Sequence, residues 1–533
     1  MKYDYIIVGA GSAGCVLANR LSADPSNNVL LIEAGKKDRN INIHIPGAYA
    51  KLHRSKVDWG YWSAPQEYVL NRKLYLPRGK TLGGSSSTNA MAYVRGNRAD
   101  YDEWASLGNA GWSYEEVLPY FIKSEHNEDL HNAYHSQSGE LHVAFPRYQT
   151  PYSAAFIEAC EQTGFVRNDD YNGEQQAGVG YFQFNIKDRK RHSAAAAFLK
   201  PVLKRKNLNV LTNTYTKKIL LEKGKAVGVE VGNTASQSHI FKAQKDIILS
   251  AGAYASPQLL MLSGIGDPVK LKKHGIKCLH ELSGVGQNLQ DHLFVPLSVL
   301  SKQQKGLNHH VKMGHQLADA FNYFVRKKGV LQIGPLEAVA FSNTSLSSKR
   351  VDYQFHFAAF QLGEAANVSL YDIHTFPQTD GFSILPTLLR PKSRGYLNLV
   401  SNNPFDFPHI QPYFLSEAHD RQTFLEAAQK GIKVLQSTAF DAYRARFVHQ
   451  IDQMSEDALF HYLQQKLETV YHPVGTCKMG QDEAAVVDSQ LRVHGIEHLR
   501  VMDASIMPTI VSGNTNAAVY MIAEKGAEMV LGD

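Results

Sequence analysis

The chain has little of what marks secreted, metal-binding or membrane-spanning proteins. Its four cysteines, Cys15, Cys160, Cys278 and Cys477, are scattered over 533 residues with no CxxC pair. That excludes a disulfide scaffold and makes a reducing compartment the expectation. No apolar run approaches the ~20 residues of a membrane span. Neither charge sign dominates: 56 basic against 50 acidic residues give +6, and no basic stretch is interleaved with aromatics, so no nucleic-acid partner is expected. Lys187–His192, Lys204–Lys206 and Arg326–Lys328 are the only basic clusters. They read as solvated surface, with weak peripheral membrane contact as the alternative. His309–His310 and His494/His498 lack a carboxylate at HExxH spacing, so no metal is expected. A strand opening at residue 3 leaves no room for a leader, which predicts a cytoplasmic protein, at most peripheral to the inner membrane face. There is no internal repeat and no low-complexity segment.

What the chain does have is a nucleotide signature at its start. Tyr3–Val8 is a short apolar run, Gly9, Gly11 and Gly14 fit GxGxxG, and Val16, Leu17 and Leu21 follow at helical spacing. A second apolar run, Val29–Ile32, ends at Glu33. Gly9 permits the tight turn, Gly11 lets backbone approach a pyrophosphate, and Gly14 lets helix and strand pack closely. The pyrophosphate then meets free N–H groups at a helix N-terminus, and Glu33 is placed to accept from a ribose hydroxyl. The motif between two strands with a terminal acid predicts dinucleotide binding.

The length suits two to four domains or one large two-domain enzyme. Asn40–Tyr75 reads as a long irregular stretch with Trp59 and Trp62, the signature of a lid or binding loop. Pro77–Ala105 contains adjacent glycines and three serines, which suits close approach of backbone to a ligand. Asp246–Leu249, Gly252 and Ser256–Leu262 form a second strand–glycine–helix unit. Val351, Tyr353, Phe355 and Phe357 alternate, predicting an antiparallel sheet with one buried face. His498–Ser505 and Asn516–Met529 return to strand and helix. The expected fold is α/β (α+β overall). A Rossmann-like nucleotide domain comprises 1–150, 190–305 and 465–533. A substrate domain, an antiparallel sheet flanked by helices, comprises 151–189 and 306–464. Such a split argues against a simple NAD-dependent dehydrogenase.

His472 precedes a proline in a stretch of turn formers, and Asn516 opens the last helix. Both are loop-to-element junctions, where catalytic groups tend to be held; alone, each reads equally as structural, Asn516 as a plain N-cap.

With "PRGKTLGGSSSTNAMAYVRG", "GAYASPQLLMLSGIG", "VGQNLQDH", "RPKSRGYLNLVS", "YHPVGTCKMG" and "VMDASIMPTIVSGNTNAAVYMIAEKGA" in this order, the chain resembles the glucose–methanol–choline (GMC) oxidoreductases over almost its full length, with a pattern near bacterial choline and alkanol dehydrogenases. The resemblance implies FAD. Gly9, Gly11, Ser12, Ala13 and Gly14 would meet the pyrophosphate, and Glu33 and Ala34 the adenosine ribose. Gly83, Gly84, Ser85, Asn89, Ala90, Met91 and Ala92 would line the flavin. Ala251, Gly252, Asp503 and Ala504 would complete the cofactor site, and His472 and Asn516 would face substrate. Thr88 stands where some members carry a histidine bonded to the flavin, so FAD is expected to be non-covalent.

The implied reaction is oxidation of a primary alcohol to the aldehyde. His472 takes the hydroxyl proton, Asn516 orients the oxygen, and hydride leaves for the flavin. Electrons would pass to a quinone-like acceptor, or to oxygen if the enzyme is an oxidase. Hydroxynitrile lyase and fatty-acid photodecarboxylase share the scaffold, and a flavin-free binding protein is the non-enzymatic alternative. Choline would need a carboxylate or aromatic cage, for which Glu337 is the candidate.

Overall fold

The computed structural model describes residues 2–347, 349–365 and 368–532. Its centre is a five-stranded parallel sheet in the order Leu208–Leu211, Val29–Ile32, Tyr5–Val8, Ile247–Leu249, Leu499–Val501. Tyr5–Val8, Val29–Ile32 and Ile247–Leu249 are buried throughout, as expected of parallel strands covered on both faces. One sheet therefore collects segments from the start, middle and end of the chain. The helices Ser12–Leu21 and Asn516–Gly532 pack beside it, joined at one end by Arg20, which bridges Glu524 at 2.6 Å. At the other end the Ser12 hydroxyl donates to Asn516 Oδ1 at 2.6 Å, so the two N-termini converge.

The second sheet is antiparallel and has eight strands. Its main path is Arg444–Phe447, Leu297–Ser301, Gly381–Leu388, Tyr353–Ala358, Ala338–Ser342, Gly178–Tyr181, with Leu293–Phe294 and Glu468–Thr469 paired beside it. The sheet differs from the sequence expectation in two ways. Both of its faces are buried: all residues of Tyr353–Ala358 and Gly381–Leu388 are covered. Tyr353, Phe355 and Phe357 form one core with Phe156 and Phe424 from the helices Pro151–Gln162 and Ala418–Gln436. Ala358, Val339, Leu385 and Phe294 belong to another core, against Met91 and Val94. Alternation alone could not show that the polar-looking face, with Gln354 and His356, also meets protein. Second, Leu293–Ser301 and Glu468–Thr469, assigned by sequence to the nucleotide part, are strands of this sheet. Leu293–Ser301 pairs with Gly381–Leu388, about ninety residues away, and Glu468–Thr469 with Leu293–Phe294, pairings that composition cannot reveal.

The stretch Asn40–Tyr75 is built from short elements, among them the helix Ile41–His44, the 3-10 turn Pro46–Leu52 and the strand Tyr61–Trp62. Among the described residues, no helix is long and apolar enough to cross a membrane.

Candidate active site

A cavity of about 320 Å³ is lined by residues from both halves of the chain. Gly9, Gly11, Ser12, Ala13, Glu33, Ala34, Gly84, Ser85, Asn89, Ala90, Met91, Ala92, Ala251, Gly252, Asp503, Ala504, His472 and Asn516 all line it, as does Thr88. Gly14 and Gly83 do not, and their geometry shows why. A Cβ on Gly14 would fall 1.8 Å from the Gly9 carbonyl oxygen, so Gly14 serves the close helix–strand approach. Gly83 has φ +87° and donates its N–H to the Ala10 carbonyl at 2.8 Å, tying its loop to the fingerprint turn. The next residue makes that contact closer still: a Cβ on Gly84 would lie 2.7 Å from Gly11 Cα.

The Glu33 carboxylate accepts from Ala10 N–H at 2.9 Å and Gly35 N–H at 2.7 Å. Burial raises its pKa to about 7 against those two bonds. Asp503 joins the strand Leu499–Val501 to the second glycine turn by accepting from Gly252 N–H at 2.8 Å and Ser256 Oγ at 2.5 Å. Asn89 Oδ1 accepts from Met91 N–H and from the buried Arg191 guanidinium at 2.8 Å. Arg191 also donates to the Ile43 and Ser86 carbonyls, and burial lowers its pKa to about 10.

The His472 region is held by Asp291. That carboxylate accepts from His472 N–H at 2.7 Å and from Thr469 Oγ at 2.5 Å, and burial raises its pKa to about 6. The imidazole of His472 meets two partners. Its Nδ1 is 3.0 Å from His292 Nδ1, and its Nε2 is 3.3 Å from Asn514 Nδ2. His292 Nε2 lies 2.9 Å from the Leu389 carbonyl, an oxygen that can only accept. Neutral His292 must therefore carry its proton on Nε2 and present a lone pair at Nδ1. His472 then donates from Nδ1 and keeps its Nε2 lone pair toward Asn514 and the cavity. Burial drives the pKa of His472 well below the usual range, with His292, His356 and Arg78 adding in the same direction. His292 is lowered to about 3 and His356 to about 4, both by burial.

Asn516, expected to face substrate with His472, lines the same cavity, and its Oδ1 accepts from the Ser12 hydroxyl. Asn514, two residues earlier and ahead of the helix, is the amide beside His472. In "SGNTNAAV" two asparagines flank one threonine, and the resemblance implied a role for the second alone. Sequence reasoning also gave no role to His292, Asp291, His356 or Arg191. The first two lie inside the "VGQNLQDH" run, whose conjunction with "YHP" was the available signal.

Glu337 is not a cavity residue. It is wholly buried, accepts from Thr150 N–H at 2.8 Å and Thr150 Oγ at 2.9 Å, and also bonds Ser153. It thus satisfies the N-terminus of the helix Pro151–Gln162. Among the described residues, one group of three metal-capable side chains occurs, His309, His310 and His315, with ligand atoms within 4.8 Å. It lies outside the cavity lining.

Residues 3–294 and 391–523 match the N- and C-terminal signatures described as GMC oxidoreductase. This chain belongs to the GMC oxidoreductase family. It is 41% identical to the alcohol dehydrogenase [acceptor] of Pseudomonas putida, covering 99% of this chain and 96% of that protein. It is 40% identical to the mitochondrial choline dehydrogenase of Homo sapiens, covering 100% and 90%. Among solved structures, pyridoxine 4-oxidase from Mesorbium loti superposes with TM-score 0.90 at 31% identity, covering 100% and 99%.

As a GMC oxidoreductase the chain is an FAD-dependent enzyme, and the cavity fits that cofactor on its own chemistry. The first-turn N–H groups at Ser12 and Ala13 have no acceptor inside their helix. The Glu33 carboxylate faces the same space, and Asn514 Oδ1 is buried without a hydrogen-bond partner in the free chain.

Proposed function

We propose that this GMC oxidoreductase oxidises an apolar primary alcohol to the aldehyde and passes the electrons to a quinone-like acceptor. The observation that carries this reading is the His472–Asn514 pair, which shares one cavity with the nucleotide fingerprint. His472 Nε2 is the base: its lone pair is held free because Nδ1–H is committed to His292, and it accepts the hydroxyl proton. Asn514 Nδ2 donates to the same oxygen and steadies the charge that grows there as the proton leaves. Bound FAD supplies the acceptor for the hydride from the alcohol carbon. Gly9, Gly11, Ser12, Ala13 and Glu33 would hold its nucleotide end, and Gly84, Ser85 and Ala90 the rest. Thr88 offers no nucleophilic nitrogen, so FAD is held non-covalently.

The substrate class follows from the wall. Phe294, Leu336, Phe360, Leu385 and Val470 line the cavity and belong to one apolar cluster. Val470 also donates its N–H to the His292 carbonyl at 2.9 Å, which ties this cluster to the histidine pair. That lining suits an aliphatic or aromatic alcohol, and Glu337, the carboxylate expected for a quaternary ammonium, is occupied elsewhere. The acceptor reading is supported by the dehydrogenase names of the relatives at 40–41% identity. The oxidase alternative is supported by the pyridoxine 4-oxidase likeness.

The test is the visible spectrum of the purified protein under anaerobic conditions with a panel of primary alcohols. Bleaching of the flavin bands by an apolar alcohol, slowed ~100-fold or more in His472→Ala with flavin content unchanged, supports the reading. Bleaching that His472→Ala leaves intact overturns it. Rapid recolouring in air with hydrogen peroxide would make the enzyme an oxidase.

A further inference from the structure

The helix Met313–Phe324 sits in the surface with its polar side inward. Asp319 is buried and accepts from His310 Nδ1 at 2.6 Å. The Gln316 amide donates to the Val311 carbonyl at 2.7 Å, and the buried Tyr323 places its hydroxyl on the Arg189 carbonyl at 3.0 Å. The outward side is apolar. Met313, Leu317 and Phe321 recur every fourth residue as one stripe, continued by Phe324 and Val325, and they are 79%, 69%, 51%, 55% and 62% exposed. A helix of a water-surrounded protein turns such a stripe toward the core; one turned outward marks a contact surface.

The exposed charges of the segment that carries the stripe have one sign. Lys312 precedes the helix, and Arg326, Lys327 and Lys328 follow it, all exposed. The one acid between Lys312 and Lys328 is Asp319, spent on His310. The Arg326 guanidinium carbon lies 5.3 Å from the Phe321 ring centroid, so its cationic head sits against the stripe itself. Apolar side chains flanked by long cationic ones, with no exposed acid in the same segment, are the composition of a helix lying in the plane of an anionic bilayer.

We propose that the helix Met313–Phe324 docks the protein on an anionic lipid surface. Met313, Leu317, Phe321, Phe324 and Val325 enter the boundary between headgroups and acyl chains, and Lys312 and Arg326–Lys328 meet lipid phosphates. The docking face adjoins the cavity wall. Leu331, just beyond the basic run, packs with Tyr323, Ile45 and Ala48, and Tyr49 and Leu52 of that same turn line the cavity together with Pro335 and Leu336. A membrane-dissolved alcohol or quinone would therefore reach the cavity from the docked side. That consequence rests on the proposed reaction; the docking does not.

Flotation of the flavin-loaded full chain with vesicles tests it. The protein should float with phosphatidylglycerol-rich vesicles, less with pure phosphatidylcholine, and less as salt rises. Leu317→Glu/Phe321→Glu and Lys327→Glu/Lys328→Glu should each weaken vesicle binding about tenfold or more, with flavin content and bleaching by alcohol in vesicle-free buffer unchanged. Phe321→Trp, which keeps the surface apolar, should show a blue shift of emission on adding vesicles beyond that of the unsubstituted protein. Failure to float, unchanged flotation of both charge variants, or an unshifted Phe321→Trp spectrum would overturn the proposal. So would a dimer that Leu317→Glu/Phe321→Glu converts to monomer, because the stripe would then cover a second copy.

Discussion

His472 and His292 stand Nδ1 to Nδ1 at 3.0 Å, and the Leu389 carbonyl behind them decides which nitrogen holds each proton. A fixed backbone acceptor, relayed through one neutral imidazole, thus sets the tautomer of the next. The expected consequence is that His292→Ala slows flavin reduction by alcohol by about 100-fold or more while FAD remains bound, since His472 loses the partner that keeps Nε2 free. His292→Asn, whose side-chain oxygen can still accept from Nδ1–H, should recover part of that rate. Stopped-flow reduction of both variants checks this, and equal losses in the two would show a merely structural role.

Asn514 and Asn516 should separate cleanly. Asn514→Ala removes the donor beside His472 and is expected to lower the reduction rate by ~100-fold or more at unchanged flavin content. Asn516→Ala releases Ser12 at the fingerprint helix, so its expected effect is weaker FAD retention with a smaller change in the rate of the loaded enzyme. Flavin-to-protein ratio and reduction rate, measured on each variant, distinguish the two roles.

Acid should act through the buried histidines. Burial keeps His472 neutral far below its ordinary range, so the acid limb of flavin reduction by alcohol should fall below pH ~6.5, the free-imidazole value. Stability carries the same sign. A folded pKa near 3 for His292 means that below pH ~6.5 the unfolded chain binds a proton the folded one refuses. This costs up to about 1.4 kcal/mol per pH unit until the folded pKa is reached. Relative to the unsubstituted protein, His292→Asn should therefore gain thermal midpoint as pH falls from 6.5 toward 4. A difference that does not change with pH would refute the assignment.

Glu33 offers a check on the cofactor end. Glu33→Ala removes the acceptor of two backbone N–H groups at the fingerprint turn along with the acid for the ribose. FAD affinity should fall about 10- to 100-fold, measured by fluorescence as free flavin is titrated into stripped protein.

Much of the nucleotide half was legible because local signals and fold agree there: glycine spacing, buried apolar strands and a terminal acid all act within 33 residues of the start. The catalytic end was legible in part. His472 took its role from the motif resemblance, since its junction alone reads equally as structural, and Asn514 carried no local signal, because only the packing of Asn516 against Ser12 tells the two asparagines apart. His292 could not be found by periodicity, since its role exists only once a contact across 180 residues is made. The same holds for the second buried face of Tyr353–Ala358, where alternation reports polarity and not what lies opposite.

The parallel sheet that carries the fingerprint is completed by a strand at Leu499–Val501, and the Ser12–Asn516 bond spans 504 positions. Contacts of such long sequence separation are slow to form, because the closure entropy of the intervening chain is lost before they stabilise anything. During synthesis the glycine turn emerges together with its neighbour strand Val29–Ile32, yet the strand Leu499–Val501 and the partner helix Asn516–Gly532 are added only hundreds of residues later. The cofactor cradle is thus completed late in folding, and until the helix Asn516–Gly532 docks the apolar strands at the start of the chain stay exposed to aggregation.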